Sequence, residues 1–382
     1  MKKMEKNKIV IAMSGGVDSS VAAALLKKAG FNVVGIFMKF WKDGSDGKNR
    51  CCSVESEKLA RLVANKIGIP FYVLNVEKEF KEKVVDYFLK EYKKGNTPNP
   101  CVVCNKEIKF GFLIKKALSL GANFVATGHY ARLKREIPNS KFQILNKLKI
   151  QNQKYVKLFK GKDKNKDQSY FLWQLNQKQL NHILFPVGGY TKPEVRKLAK
   201  KFKLPTAKTP ESQEVCFIQK DTNEFLKKYL KTKTGKIINT EGKVVGQHNG
   251  PWFYTIGQRK GLEIPQGSAF VTKVERHSGE TKPYYVVDKD FEKNILIVSK
   301  NQKDLMRKEL NATGVSWISS QKLPINAEVK IRYKSAFAKA KIFNHKKNSV
   351  KIIFQKHQKA ITPGQSVVFY KGAELLGGGV IE

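Results

Sequence analysis

Ser14-Gly15-Gly16-Val17-Asp18-Ser19-Ser20 stands between an apolar run, Lys8 to Met13, and a helix-forming run, Val21 to Lys28. Two glycines turning a buried strand into a helix aim several backbone N–H groups, and the positive end of the helix dipole, at one point. That geometry binds anions. No Lys-Ser/Thr pair follows the second glycine, and the order is not G-x-G-x-x-G, so neither familiar phosphate loop is present.

The second chemical stretch is Thr97-Pro98-Asn99-Pro100-Cys101-Val102-Val103-Cys104-Asn105-Lys106. Two prolines stiffen a loop, and the pattern after them predicts a helix from Asn105 to about Leu120. Cys104 is then expected at that helix's N-terminus beside Lys106, where dipole and cation favour thiolate, with Cys101 outside the helix. The third is Glu211-Ser212-Gln213-Glu214-Val215-Cys216-Phe217-Ile218. Taken singly, a C-x-x-C pair is equally a structural or metal-binding feature, and Cys216 a buried apolar residue. Cys51-Cys52 leads a helix and reads as structural.

These residues need a frame. Apolar runs at Lys8–Met13, Asn32–Met38, Pro70–Val76 and Asn123–Thr127 alternate with helical patterns, including one capped by Ser53 and closed by Gly68, and another over Lys78–Lys93. Alternation of this kind predicts an α/β fold with a doubly wound parallel sheet, whose ligands sit at the carboxyl ends of the strands. The Ser14 loop, Met38 and the Thr127-Gly128-His129 turn should therefore meet over one pocket. Lys134–Lys166 reads as a hairpin excursion, Asp167–Leu184 as helical, and Lys192–Phe202 as a helix with Pro193 in its first turn. From about Thr222 short strands take over: Gly235–Ile238, Lys243–Gly246, Trp252–Ile256. Beyond Asn294 the period is two, as in Val329–Tyr333, Val350–Phe354 and Ser366–Tyr370, which predicts an all-β, barrel-like domain. The expected division is 1–220, 221–290 and 291–382.

Composition narrows the partners. Among 382 residues Lys plus Arg exceed Asp plus Glu by 41, and a nucleic acid is the natural polyanion for such a charge. Only nine of the 73 basic residues are Arg, so part of the excess is drift toward lysine. There is no run of about twenty apolar residues and no apolar leader before the first strand. Five scattered cysteines make no disulfide framework, and a cytoplasmic protein is expected.

The order S-G-G-x-D-S resembles the pyrophosphatase loop of ATP enzymes that adenylate their substrates. With it, the set SGGVDSS, NPCVVCNKEIKF, TGHYAR, KDQSYFLW, SQEVCFI and FYTIGQRKGL resembles the tRNA-specific 2-thiouridylase family along nearly the whole chain. The resemblance implies an ATP- and Mg²⁺-dependent sulfurtransferase that thiolates C2 of the wobble uridine, position 34, in tRNAs for Lys, Glu and Gln. It implies adenylation of the C2 oxygen and sulfur from a cysteine persulfide on Cys216, loaded by an upstream sulfur-relay protein. Cys104 would act in the transfer and be left in a Cys104–Cys216 disulfide. Ala12, Met13, Ser14, Gly15, Gly16, Val17, Asp18, Ser19, Met38 and Gly128 would line the ATP. Asn99, Pro100 and Cys101 would touch the target base. His129, Lys166, Asp167, Gln168, Arg332, Tyr333 and Gln365 would contact tRNA, and the small central domain would take part.

Two features depart from the family. Many members carry an acid where Cys101 stands, and the 135–160 excursion is longer than usual. Other chemistries fit parts of the pattern. An ATP-dependent amide ligase explains the glycine loop but not the charge or the cysteines. A thiolase with an iron–sulfur cluster would draw on Cys101, Cys104 and Cys216. An RNA-binding protein with a vestigial nucleotide site would bind tRNA without releasing pyrophosphate.

Overall fold

A computed structural model of the chain describes residues 7–43, 53–136, 155–210, 215–218, 221–264 and 282–382. Cys51 and Cys52, the distal part of the 135–160 excursion and Glu211–Glu214 lie outside the described residues.

Strands and helices alternate first: β1 (Lys8–Ala12), α1 (Val17–Lys28), β2 (Asn32–Lys39), α2 (Val54–Ile67) and β3 (Phe71–Asn75). One helical stretch follows as α3 (Glu77–Phe80), a π-helical Lys81–Val85 and α4 (Asp86–Lys93). A second runs through α5 (Pro100–Val103), a π-helical Cys104–Phe112 and α6 (Leu113–Ser119) into β4 (Phe124–Ala126). The antiparallel hairpin β5 (Ala131–Glu136) and β6 (Tyr155–Lys160) interrupts the alternation before α7 (Gln177–Leu180), β7 (Ile183–Leu184) and α8 (Lys192–Lys201). The sheet order is β3-β2-β1-β4-β7 and every pair is parallel, as the alternation predicts. Ile9, Val10 and Ile11 are buried without a break because β1 is covered on both faces. Ser53 accepts from Ser56 N at 3.1 Å and Gly68 ends α2 in the left-handed region, which sets that helix where expected.

Four local expectations fail for identifiable reasons. The cysteine helix starts at Pro100, not at Asn105. Proline's fixed φ suits a first helical position, so the residue that stiffens the loop also opens the helix. Asp167–Leu184 holds only a 3₁₀ turn (Ser169–Leu172), α7 and β7, because Asp167 and Asn176 bind nearby backbone N–H groups and break a continuous helix. The strand region opens with a helix, α9 (Thr222–Tyr229), capped by Asp221, whose Oδ1 accepts from Asn223 N and Glu224 N. Trp252–Ile256 is not a strand, since Pro251 begins a 3₁₀ turn, Pro251–Phe253.

Strands β8 (Gly235–Asn239), β9 (Val244–His248), β10 (Tyr285–Asp290) and β11 (Ile295–Ser299) make a central sheet ordered β10-β11-β8-β9. The last part is all strand: β12 (Met306–Trp317), β13 (Ile325–Lys330), β14 (Ala338–Asn344), β15 (Val350–Lys359), β16 (Ser366–Lys371) and β17 (Glu374–Ile381). These pair in the order β12-β15-β14-β13-β16-β17, and a β12–β17 ladder closes six strands into a barrel. The hairpin then adds to the barrel wall, β6 pairing with β17 through Phe159↔Glu374 and Leu158↔Leu375.

Strand β16 shows how the barrel is joined to the rest. Val367 and Phe369 point into the barrel core with Ile342, Ile352 and Phe354, whereas Val368 and Tyr370 belong to the core of the first domains. Both faces are buried, so β16 lacks a polar face. Trp173, fully buried, lays its indole against β17 at Gly378. Trp173→Ala is expected to cost about 3–5 kcal/mol, read as a lower urea midpoint; a loss under about 1 kcal/mol would show that the indole does not hold this junction.

Candidate active site

The glycine loop is built by backbone constraint. Gly15 has φ +75°, and a Cβ there would lie 2.3 Å from Ser56 O, so only glycine fits between the loop and the start of α2. Gly16 is the N-cap of α1 and contributes no side-chain cap. Its carbonyl instead accepts from Ser19 Oγ at 3.1 Å and Ser20 Oγ at 2.9 Å, while Ser14 N donates to Ser19 Oγ at 3.2 Å. The first N–H groups of α1 are thus left for a ligand.

Over this loop lies a cavity of about 210 Å³, lined by Ala12, Met13, Ser14, Asp18, Ser19, Phe37, Met38, Phe40, Lys109, Thr127, Gly128, His129 and Gln168. The carboxyl ends of β1, β2 and β4 therefore converge as strand order predicts. Gly15, Gly16 and Val17 sit in the loop beneath. The donor set fits a nucleoside triphosphate: backbone N–H groups and a helix N-terminus for phosphate, apolar Phe37, Met38 and Phe40 for a base.

Asp18 has partners that the sequence reading missed. Both its carboxylate oxygens accept from Lys192 Nζ at 2.8 Å, and Oδ1 accepts from Tyr130 Oη at 2.6 Å. The Lys192 side chain is only 9 % exposed. The only available signal was its place in the capped start of a helix, Thr191 to Glu194, which binds α8's first turn. As counter-ion to a buried ammonium, Asp18 contributes to the fold.

His129 is buried in the cavity wall, its Nδ1 2.7 Å from Thr127 Oγ1 and its ring between Phe110 and Phe185. Burial, aided by the charge of Lys109, holds its pKa well below the usual imidazole value.

The cysteines are arranged differently from expectation. Asn99 is the N-cap of the helix, so Cys101 lies in its first turn and is exposed, while Cys104 lies beyond that turn and is buried. The dipole argument therefore applies to Cys101, and Lys106 pairs with Glu107 at 3.5 Å. Asn105 is buried, donates to Phe171 O at 3.1 Å and leaves its Oδ1 without a hydrogen-bond partner. Lys109, on the same helix, reaches the nucleotide cavity, so the cysteine helix is one of its walls. Cys216 is half-buried beside Phe217, whose ring packs on Phe80 and Phe88 of α3 and α4. Among the described residues, no three His, Cys, Asp or Glu side chains are grouped to hold a metal ion.

Several expected tRNA contacts turn inward. Asp167 accepts from Gly161 N, Ser169 N and Ser169 Oγ, and Gln168 accepts from Tyr130 N. Arg332 donates to Ala360 O and Thr362 Oγ1, and Gln365 donates to Thr97 O at 2.8 Å. Tyr333 packs on Phe171 at 4.5 Å. The Asn99 side chain bonds the Tyr170 hydroxyl, which donates to Ser366 O at 2.8 Å. These groups frame the cysteine loop between the hairpin and the barrel. Lys166, at the foot of the same loop, is half-buried.

Comparison with known proteins places this geometry. Residues 7–220 match the family described as tRNA methyl transferase HUP domain, 223–300 the tRNA methyl transferase PRC-barrel domain, and 307–381 the aminomethyltransferase beta-barrel domain. The tRNA-specific 2-thiouridylase MnmA of Alkaliphilus oremlandii is 45 % identical over 100 % of this chain and 99 % of its own. That of Streptococcus sanguinis is 44 % identical over 100 % and 97 %, and that of Clostridioides difficile 43 % over 98 % and 98 %. A solved 4-thiouridine synthetase–RNA complex with bound ATP is 17 % identical over 58 % of this chain and 50 % of that one, with a TM-score of 0.33.

Two outcomes follow. Asp18→Ala should lower stability by about 3–5 kcal/mol, because it leaves a buried ammonium without its carboxylate. The pair Asp18→Asn with Lys192→Met should recover most of that loss in urea titrations; equal midpoints for wild type and Asp18→Ala would refute the role of the ion pair. For His129 the unfolded chain titrates near ~6.5 while the folded ring does so well below. The unfolded state then binds more protons, and stability falls as pH drops below that value. His129→Asn should flatten the decline between about pH 6.5 and 5, and an unchanged slope would count against a buried neutral imidazole.

Proposed function

The chain belongs to the tRNA-specific 2-thiouridylase family, and from that premise we propose that it is a tRNA-uridine 2-sulfurtransferase acting on the wobble uridine. One observation carries the reading at the level of the site. The helical stretch bearing Cys101 and Cys104 supplies Lys109 to the wall of the cavity over the glycine loop, which supports a reading in which sulfur chemistry works next to the nucleotide. An amide ligase on the same loop has no need of that helix, and a three-thiolate cluster is not favoured by the full-length relatives.

ATP over the glycine loop would supply the leaving group that makes the uridine C2 oxygen displaceable, and Asp18 would be the residue to hold Mg²⁺ there. Ser14, Ser19 and the α1 N-terminus bind phosphate. Phe37, Met38 and Phe40 exclude water around the base. The wobble uridine leaves its stack to enter beside Asn99, Pro100 and Cys101. Cys216 carries the persulfide delivered by a relay protein. The Cys104 thiolate attacks the inner sulfur and expels hydrosulfide, which adds at the adenylated C2; AMP leaves with the former C2 oxygen, and a Cys104–Cys216 disulfide remains for a reductant to open. Of the expected tRNA contacts, His129 and Gln168 face the cavity; Lys166, Asp167, Arg332, Tyr333 and Gln365 act at the seam around the cysteine loop. The three parts, 1–220, 221–290 and 291–382, divide this work into catalysis, tRNA guidance and barrel docking, for tRNAs of Lys, Glu and Gln in the cytoplasm.

Incubation of tRNA with the protein, ATP, Mg²⁺ and a sulfide source should replace one oxygen by sulfur at the wobble uridine, read by nucleoside mass analysis. Cys104→Ser and Cys216→Ser should each stop this, and Cys101→Ser only slow it. A Cys101–Cys104 link after one turnover, or complete loss in Cys101→Ser, would overturn the assignment of the two sulfurs.

A further inference from the structure

The segment Gly95–Asn99 enters the cysteine helix, and both other domains hold it. Thr97 N donates to Pro363 O at 2.9 Å, Gln365 Nε2 donates to Thr97 O at 2.8 Å, and Thr97 Oγ1 lies 3.2 Å from Thr255 Oγ1. At its start, Gly95 has φ +88°, and a Cβ there would fall 2.2 Å from the Phe291 ring. Lys289, half-buried on β10, reaches across a cavity of about 350 Å³ where the three domains meet. Its Nζ donates to Gly95 O at 2.5 Å and to Tyr254 O at 3.0 Å.

We infer that Lys289 is a positioning residue for sulfur transfer: its ammonium fixes the Gly95 carbonyl, and with it the entry angle of the helix that presents Cys101 and Cys104. The inference rests on the sulfurtransferase reading given above. A tie made only for stability would not need a cation. Burial lowers this ammonium's pKa to about 8 despite the neighbouring Asp288 carboxylate, so the charged form is costly where it sits. An uncharged residue of similar size would fill the same space at less cost, but it could not join two carbonyls from different domains. Among the described residues the entry segment also meets the central domain where Thr97 faces Thr255 and where Gly95 packs on the Phe291 ring, contacts that hold it less directionally than two hydrogen bonds from one ammonium, so loss of Lys289 loosens its entry. Displacing reacting groups by about 1 Å is enough to slow a reaction severely.

The test compares wild type, Lys289→Met and Lys289→Arg. Lys289→Met is expected to fold with an unchanged or raised urea midpoint, to bind tRNA within about twofold of wild type, and to thiolate it at least ~10-fold more slowly in a single turnover. Iodoacetamide should alkylate the exposed Cys101 at an altered rate in Lys289→Met, and Lys289→Arg should recover much of both properties. Thr255→Val, which removes the second tie, should show the same pattern in weaker form and serves if the Met variant does not fold. A wild-type rate and wild-type alkylation in Lys289→Met would overturn the inference. So would a loss of tRNA affinity in step with the rate, which would make Lys289 a tRNA contact. A wild-type protein that transfers no sulfur would instead sink the sulfurtransferase reading, while the alkylation comparison still decides the role of Lys289.

Discussion

The ion pair between Asp18 and Lys192 is the constraint on which the nucleotide site depends. It joins residues 174 positions apart, pins the first turn of α1 to the first turn of α8, and draws in Tyr130 from the turn after β4. Two strand–helix connections and the turn from β4 into the hairpin thereby share one charged knot at the cavity. A carboxylate in such a place serves two purposes at once. It compensates a buried ammonium, and it lines the cavity over the glycine loop.

A second constraint is that the reaction's parts come from different layers. The parallel sheet supplies the glycine-loop cavity, the helix from Pro100 carries Cys101 and Cys104, and the barrel closes the seam. Strand β16 makes this possible by burying both faces, one inward and one against Tyr170 and Trp173. The hairpin adds β6 to β17, so the barrel's wall continues into the catalytic domain through main-chain hydrogen bonds. Domains joined by a sheet edge and a shared core do not move as freely as linked bodies. The loop between them, Gly95–Asn99, is tied to both and leads directly into the helix of Cys101 and Cys104.

The parallel sheet and the barrel were legible because their signals are periodic: unbroken apolar runs for the former and alternation for the latter. The meeting of Ser14, Met38 and Gly128 over one cavity followed from strand order alone. What was not legible was which polar residues turn inward. Lys192 looks like any lysine in a basic helix, and its carboxylate lies far away in sequence. Arg332, Gln365 and Asp167 carry donors and acceptors that would suit RNA equally well, but neighbouring carbonyls and amides engage them. The start of the cysteine helix was misjudged because Pro100 has two local meanings, loop stiffener and helix opener. In the fold Pro100 is buried at the first helical position, the second of these.

The arginines explain how so basic a chain can have so few of them. Arg61, Arg132, Arg135, Arg196, Arg307 and Arg332 each donate to a carbonyl or carboxylate of the protein itself: Glu57, Lys160, Ile183, Ala207, Asp304 and Ala360. A planar guanidinium with five donors suits that kind of internal cross-link. The excess charge must then come from lysine, a hydrated point charge on a flexible stem. Such charges raise the local concentration of a polyanion and hold it loosely, without fixing its register. The guanidinium cross-links belong to the packing of the fold, whereas the lysine excess belongs to its surface charge.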